Sequence, residues 1–440
     1  MSIFGREWRH IPQRRPFLNN DNIVVGLDIG STKVCAVIGE WDNKTGKLEI
    51  SGVGIHPSTG IKKGVVVNIE ATLRAVEAAV GDAEMMSGRT VHGAWVGIGG
   101  SHVSGIPSRG AVAVRKTRES RTNAEAREIG REDIERVLKI AREVMIPMDR
   151  EILEVIPQSY IVDGLRGIKD PMDMIGVRLE AEVHIITCGV TGAQNLIKCV
   201  NRAGFRVSGL ILQSLAAGRS VLLPEEKDLG TALIDLGGGT TDVLVYQEGA
   251  PYSTITIPAG GVNVTNDISV IRKISLEYAE KIKLEAGCCW EPYLDVAGEV
   301  LIPGVGGRPP QPIPKSEILG IIKPRMEQIF WMVKEKLEKL DLPQHLGAGI
   351  VISGGASQMP GTAELAAHIF DCPVRIGIPR LEAGLPKEYQ TPAYSTAVGL
   401  ALEGFEREGK LGAAGTAHAP DPVKSSIWEK LKIWLEKEFF

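Results

Sequence analysis

Two stretches of this 440-residue chain carry one pattern, and together they restrict the fold more than any other feature. In IVVGLDIGSTKVCAVIGE, from Ile23, an apolar strand ends in Asp28. It turns through Gly30, Ser31, Thr32 and Lys33, then leaves as a second strand, Val34 to Gly39. In TALIDLGGGTTDVLVY, from Thr231, the strand ends in Asp235. The turn is Gly237, Gly238 and Gly239 with Thr240 and Thr241, and apolar residues resume after Asp242. Each stretch reads as a β-hairpin whose turn gathers bare backbone N–H groups, hydroxyls and a carboxylate. Glycine permits close backbone approach, and a concave row of N–H groups suits an anion. A carboxylate at the strand end can hold Mg²⁺ through water, and Lys33 adds positive charge for phosphate. One such turn is equally a plain hairpin between core strands. The repetition, with Asp28 and Asp235 207 residues apart, points to two related lobes clamping one nucleotide between facing phosphate hairpins.

The likeness of the two halves continues past the turns. A third extended run follows each hairpin, Leu48 to Ile55 and Tyr252 to Ile257. Each then passes to a helical segment, Glu70 to Met86 and Asn263 to about Gly287. Between them, Val91 to Val103 and Ala111 to Val114 read as strands, about Thr122 to Met145 as a charged helix, and Glu151 to Val162 as extended. This block, 87–172, reads as a small domain inserted in the first lobe, with Pro147, Pro157 and Pro171 marking breaks near its end. The first lobe then resumes with a strand at Arg178 to Thr187, a helix at Thr191 to Ala203, and Val207 to Gly218. Lys315 to Leu340 reads as a helix interrupted or kinked at Pro324. In GIVISGGASQMP, a strand runs into Gly354, Gly355 and Ala356, small enough for a flat base or a phosphate to pack on the backbone, before a helix near Gly361. YSTAVGLALEG, from Tyr394, reads as a small-residue helix for close packing between lobes. Glu280 and Lys283 share a helix face at i and i+3. They read either as a surface ion pair worth little or as a grip on a ribose or adenine edge.

A chain of this length predicts two to four domains. It is 43% hydrophobic and 24% charged with a formal net charge of −4, without the basic stripe of a nucleic-acid binder. Cys35, Cys188, Cys199, Cys288, Cys289 and Cys372 form no CxxC pair and read as reduced, buried thiols, not metal ligands. No stretch approaches the ~20 apolar residues of a membrane span. Residues 1–21 hold four arginines and no apolar core, so they read as a disordered basic tail and not a secretory signal. At the other end, 409–424 has the composition of a flexible linker, followed by SSIWEKLKIWLEKEFF. Ser425 or Ser426 can cap a helix on which Ile427, Trp428, Leu431, Trp434, Leu435 and Phe439 form one apolar face. Such a helix lies in the plane of a membrane interface, although Ile433 falls on its polar side and Glu438 within the stripe. The other reading docks it on the protein's own core or on a partner.

The paired Asp-x-Gly hairpins, a connecting helix at Gln213 to Arg219, the GGA loop and the small-residue helix resemble the actin/Hsp70/sugar-kinase ATPases. Within that group the chain is similar, over about 22–405, to the FtsA family of bacterial cell-division proteins. The similarity is specific in DIGSTKV, LIDLGGGTTD, AEKIKLEAG, ISGGAS and YSTAVGLAL. The resemblance implies an α/β, actin-like two-lobed ATPase fold with duplicated β-hairpin phosphate loops and a small α+β domain inserted in the first lobe. On that pattern the first-lobe core is 22–86, 173–222 and 394–408, and the insertion is 87–172. The second-lobe core is 223–260 and 341–393, its small domain 261–340, and the tail a linker with an amphipathic helix at 425–440.

The resemblance also implies roles. Asp28 and Asp235 would organise Mg²⁺ and water, and Lys33 would contact phosphate. Gly30, Ser31, Thr32 and Gly237 to Thr241 would cradle the phosphates of ATP. Glu280 and Lys283 would meet the ribose or adenine, Gly354, Gly355 and Ala356 would line the adenine side, and Gln213 would sit where attacking water is placed. Turnover would be at most that of a weak ATPase. The implied partners are the C-terminal peptide of FtsZ on 261–340, with Arg325 as a candidate contact or a plain helix-surface arginine. Further copies of the chain in filaments, other division proteins and the cytoplasmic face of the cell membrane at the division site complete the set. The alternatives are a small-molecule kinase of the same superfamily, for which no catalytic base is evident, and an FtsA-like pilus-assembly ATPase, which would not be expected to carry the tail.

Overall fold

The computed structural model describes residues 22–42, 47–114, 126–303, 309–340, 345–380 and 385–408. The expectations for 1–21, 409–424 and the helix at 425–440 therefore lie outside the described residues.

The two hairpins form as the repeat predicts. In the first lobe, β1 (Ile23–Ile29) pairs antiparallel with β2 (Lys33–Trp41), and β2 with β3 (Leu48–Pro57). Helix α1 (Ile69–Ser87) follows, started by the Asn68 side chain accepting from Ala71 N–H and ended by Gly88 in the left-handed conformation. Its buried face is Ala75, Val76, Ala79, Val80 and Ala83. Strand β4 (Gly93–Ile98) then lies parallel beside β1.

The chain next leaves the lobe through β5 (Val103–Ala113), α2 (Arg131–Arg142), β6 (Arg150–Val162) and β7 (Leu165–Ile168), and returns along β8 (Arg178–Gly189). These strands make a separate four-stranded sheet in the order β7-β6-β8-β5. The inserted block therefore differs from 87–172 at both ends. Residues 93–98 belong to the first-lobe sheet, and 178–189 pair with 103–113 and with 150–162. The strand expected at Arg178 to Thr187 in the resumed first lobe is thus a strand of the inserted sheet; it is buried for most of its length and apolar enough to suit either sheet. The two ends of the inserted sheet are tied together, with Val103 opposite Cys188 and Gly189 N–H donating to His102 O at 3.1 Å. Helix α3 (Val190–Arg202), β9 (Arg206–Leu212) and α4 (Gln213–Val221) bring the chain back across the first lobe.

The second lobe repeats the plan with β10 (Thr231–Leu236), β11 (Thr241–Gln247), β12 (Ala250–Ile257), α5 (Gly261–Arg272), α6 (Leu276–Ala286), α7 (Lys315–Lys339), β13 (Ile350–Ser353), α8 (Thr362–Phe370) and β14 (Val374–Ile376). The expected helix from 263 to 287 is two helices, because Lys273 turns left-handed at φ 53° and Ser275 caps a new start. Helix α7 runs on through Pro324 instead of breaking there. Its Ile318, Ile322, Met326, Ile329, Phe330 and Val333 share one core with the second sheet.

The strand orders are β9-β4-β1-β2-β3 in the first lobe and β14-β13-β10-β11-β12 in the second. In both, a hairpin and a third strand run antiparallel while two further strands run parallel on the other side. The last element, α9 (Ser395–Arg407), packs Ala397, Val398, Leu400, Ala401 and Phe405 against Val24, Val37, Trp95 and Ala216 of the first lobe. No described helix is long and apolar enough to cross a membrane.

Candidate functional site

The duplication holds at the level of single residues. Asp28 pairs with Cys35 in its hairpin as Asp235 pairs with Asp242. Gly30 N–H donates to Lys33 O at 2.9 Å, and Gly237 N–H to Thr240 O at 3.0 Å. The two tips face each other in contact. A Cβ on Gly238 would lie 2.5 Å from Thr32 Cγ2, and one on Gly239 2.4 Å from Ser31 Oγ. Glycine is required here because two turns approach backbone to side chain across the cleft.

Three carboxylates line that meeting point. Asp28, 8% exposed, accepts from Gln213 Nε2 at 2.8 Å. Burial raises its pKa, opposed by Lys33 and the Gln213 hydrogen bond. Asp235 accepts from Thr396 Oγ1 at 3.2 Å. Burial pushes it up to about 7, helped by the charges of Asp242 and Asp28. Asp242 accepts from Thr240 Oγ1 at 2.8 Å and Thr256 Oγ1 at 2.6 Å, and its pKa is also raised by burial. Lys33 Nζ donates to Ala393 O and stands 4.8 Å from the centre of the Tyr394 ring. Carboxylates held above their usual range beside one lysine form a site short of positive charge. Among the described residues no three His, Cys, Asp or Glu side chains converge on a ready-made metal site. A cation there must bring oxygens from elsewhere.

The other expected residues gather on the second-lobe side. Lys283 Nζ lies 2.7 Å from Glu280 Oε2, 3.0 Å from Thr265 Oγ1 and 3.4 Å from Gly261 O. Thr265 also donates to Glu280. A Cβ on Gly261 would come within 3.1 Å of Ala356 Cβ, so this group borders the GGA loop. Gly354, at φ 86°, backs onto Asp235, whose Oδ1 would be 2.4 Å from an added Cβ. Gly355 opens a 3₁₀ turn to Gln358. Arg325 lies apart from the cleft, holding Asp267 with two hydrogen bonds of 2.5 and 2.8 Å. No sequence motif marks Thr396, Thr256 or Thr265; YSTAVGLAL reads as a small-residue helix, and only the fold brings the Thr396 hydroxyl to Asp235.

Known proteins match nearly the whole chain. A family profile described as "Cell division protein FtsA" matches residues 232–399, and one described as "SHS2 domain inserted in FTSA" matches 100–187. The cell division protein FtsA of Pseudomonas aeruginosa is 40% identical over 425 residues, covering 96% of this chain and 99% of that one. The chain belongs to the FtsA family. The Borreliella burgdorferi FtsA is 43% identical over 95% of this chain and 99% of its own. The Escherichia coli K12 FtsA is 38% identical over 95% and 98%. The 100–187 match agrees with the inserted sheet at 103–189, not with the block at 87–172.

Solved structures show the FtsA-family chain's fold. The PilM–PilN type IV pilus biogenesis complex gives a TM-score of 0.61 at 15% identity, over 87% of this chain and 98% of that one. The MreB5 of Spiroplasma citri bound to ADP gives 0.51 at 15%, over 90% and 99%. These likenesses show the two-lobed actin-like fold, and with membership of the FtsA family it makes the protein an actin-like cell-division scaffold.

Proposed function

We propose that the cleft binds ATP with Mg²⁺, and that the chain assembles into filaments on the cytoplasmic face of the membrane and tethers FtsZ there. The observation that carries the nucleotide reading is the pair of hairpins in one register, tip to tip over Asp28 and Asp235. The residues present fit the ligand. Mg²⁺ keeps several waters and is usually held by one or two carboxylates plus phosphate oxygens, which suits raised carboxylates that do not form a metal site by themselves. Asp28 and Asp235 would hold the ion through water, and the ion would neutralise charge on the phosphates.

Turn N–H groups of Ser31, Thr32 and Gly238 to Thr240, with the hydroxyls of Ser31 and Thr32, would face the phosphates. Gly30 and Gly237 N–H close their own turns, and Thr241, expected in the cradle, is instead fully buried with its hydroxyl donating to Ala259 O at 2.8 Å. Lys33 would release Ala393 O to reach them. Lys283 and Glu280 would meet the ribose or adenine beside Gly354, Gly355 and Ala356. Gln213 is committed to Asp28, which supports at most weak ATP turnover. MreB5, which has this fold, was solved bound to ADP. The anchor is assigned to 425–440 and the FtsZ peptide to 261–340.

Equilibrium binding of a fluorescent ATP analogue tests the cleft. Wild type is expected to bind more tightly with Mg²⁺ than with EDTA, and Asp235→Ala and Lys33→Ala to bind at least tenfold more weakly. Unchanged affinity in both variants would place the nucleotide elsewhere.

A further inference from the structure

The head of α9 is one of the places where the two lobes meet through specific polar contacts. Gly354 N–H donates to Pro392 O at 3.3 Å, and Ser353 Oγ to Ser395 Oγ at 2.8 Å. Both join the end of second-lobe β13 to a segment whose helix packs on the first lobe. The contact of Thr396 is of another kind. Its hydroxyl reaches past the backbone to Asp235 Oδ2, while Gly354 closes on Oδ1. The carboxylate is thus bounded on both oxygens, and Thr396 is itself 8% exposed.

The internal repeat gives this contact a counterpart. In the first lobe the chain runs from β9 into α4, whose first residue, Gln213, donates to Asp28. In the second lobe the chain runs from β14 to α9, whose second residue, Thr396, donates to Asp235. The two helices lie against each other, so close that a Cβ on Gly399 would fall 1.7 Å from Ala216 O. Each hairpin aspartate therefore receives one side-chain hydrogen bond from the head of one of two crossing helices. The amide and the hydroxyl stand in equivalent places.

We infer that Thr396 is a positioning residue for Asp235, the second-lobe equivalent of Gln213, which sets that carboxylate from across the cleft. Asp235 then has its working orientation only while the head of α9 is seated against β13 and β10. The role in ligand binding rests on the nucleotide reading above; the contact itself does not.

The test uses Thr396→Val, which keeps the branched shape and removes the hydroxyl, and Thr396→Ser, which keeps the hydroxyl, in the full chain. A hydrogen bond to a charged group is worth about a ten- to hundredfold change in an equilibrium. The gain in ATP-analogue affinity on replacing EDTA by Mg²⁺ is expected to fall by about tenfold or more in the valine variant. It should return in the serine variant, with affinity in EDTA unchanged throughout. A structural defect alone would lower both affinities together and would not be rescued by serine. The second measurement needs no nucleotide. Melting temperatures of Thr396→Val, Asp235→Ala and the double variant form a cycle in which the valine change lowers the midpoint only when Asp235 is present. Additive midpoints, or a wild-type Mg²⁺ gain in the valine variant, overturn the inference. Absence of nucleotide binding by wild type would instead sink the nucleotide reading and leave the cycle to decide the contact.

Discussion

His184 gives a sharp prediction about how the inserted domain is held to the second lobe. It lies on β8, 2% exposed, with Nε2 3.1 Å from Thr254 Oγ1 of second-lobe β12 and Nδ1 buried without a hydrogen-bond partner. Burial lowers its pKa from 6.5 to about 4. Keeping the imidazole neutral in place is therefore preferred by on the order of 3 kcal/mol. The unfolded or undocked chain takes up a proton near pH 6.5 and the packed one near pH 4, so stability is complete above 6.5 and is lost as the pH falls toward 4. Gln158 Nε2, donating to Pro251 O and Tyr252 O at 3.0 Å each, crosses the same boundary and is indifferent to pH. The assay is thermal melting between pH 7.5 and 4 of wild type and His184→Gln. Acid lability from carboxylates is common to both, so the difference between the curves isolates the imidazole. Wild type is expected to lose about 3 kcal/mol more than the variant across that window. Parallel curves would show that the ring is protonated where it sits, or that water reaches Nδ1, and the reasoning would fail.

Gly399→Ala is expected to force α9 away from α4, because the new Cβ would meet Ala216 O at 1.7 Å. Overpacking of this kind costs about 1–3 kcal/mol, and an unchanged melting temperature would contradict the packing. Removing 425–440 should abolish sedimentation with vesicles of mixed anionic and zwitterionic lipid; full retention would end the anchor assignment. A photo-crosslinking FtsZ C-terminal peptide should label the full chain within 261–340, and labelling confined to other segments would displace the docking site. In that experiment Arg325→Ala is expected to weaken labelling only if the arginine can leave Asp267, so Asp267→Ala should strengthen it.

The parts of the fold legible from sequence were those that local chemistry dictates. Asp28 and Asp235 sit at strand ends beside tight turns, and the register followed from the spacing of the apolar residues on either side. The helix at α1 carried its own start and stop in Asn68 and Gly88. What escaped depends on neighbours distant in sequence. Strand β8 is apolar enough for either sheet, and only its pairing with β5 and β6 assigns it. Lys273 has no special propensity for the left-handed turn that splits α5 from α6. Thr396 gains its contact only because α9, more than 160 residues beyond Asp235, crosses back to the cleft. Arg325 reads from sequence as a peptide contact or a plain helix-surface arginine, and only the fold brings Asp267, one helix away, onto its guanidinium.

The paired ends of the inserted sheet have a consequence for how the first lobe can form. Between β4 and β9 the chain makes a long excursion, yet His102 and Gly189 are hydrogen-bonded neighbours at its base. Once β5 and β8 have zipped, the excursion acts as a sealed bubble. For the lobe, the distance along the chain from β4 to β9 shrinks to α3 and a short turn. Loop closure then draws on the 20 residues of 99–102 and 190–205, not on the 107 of 99–205. A parallel strand pair that would otherwise be slow to find its partner becomes a local event. The pairing therefore predicts an order of assembly, with the insertion sealing before the lobe that houses it closes.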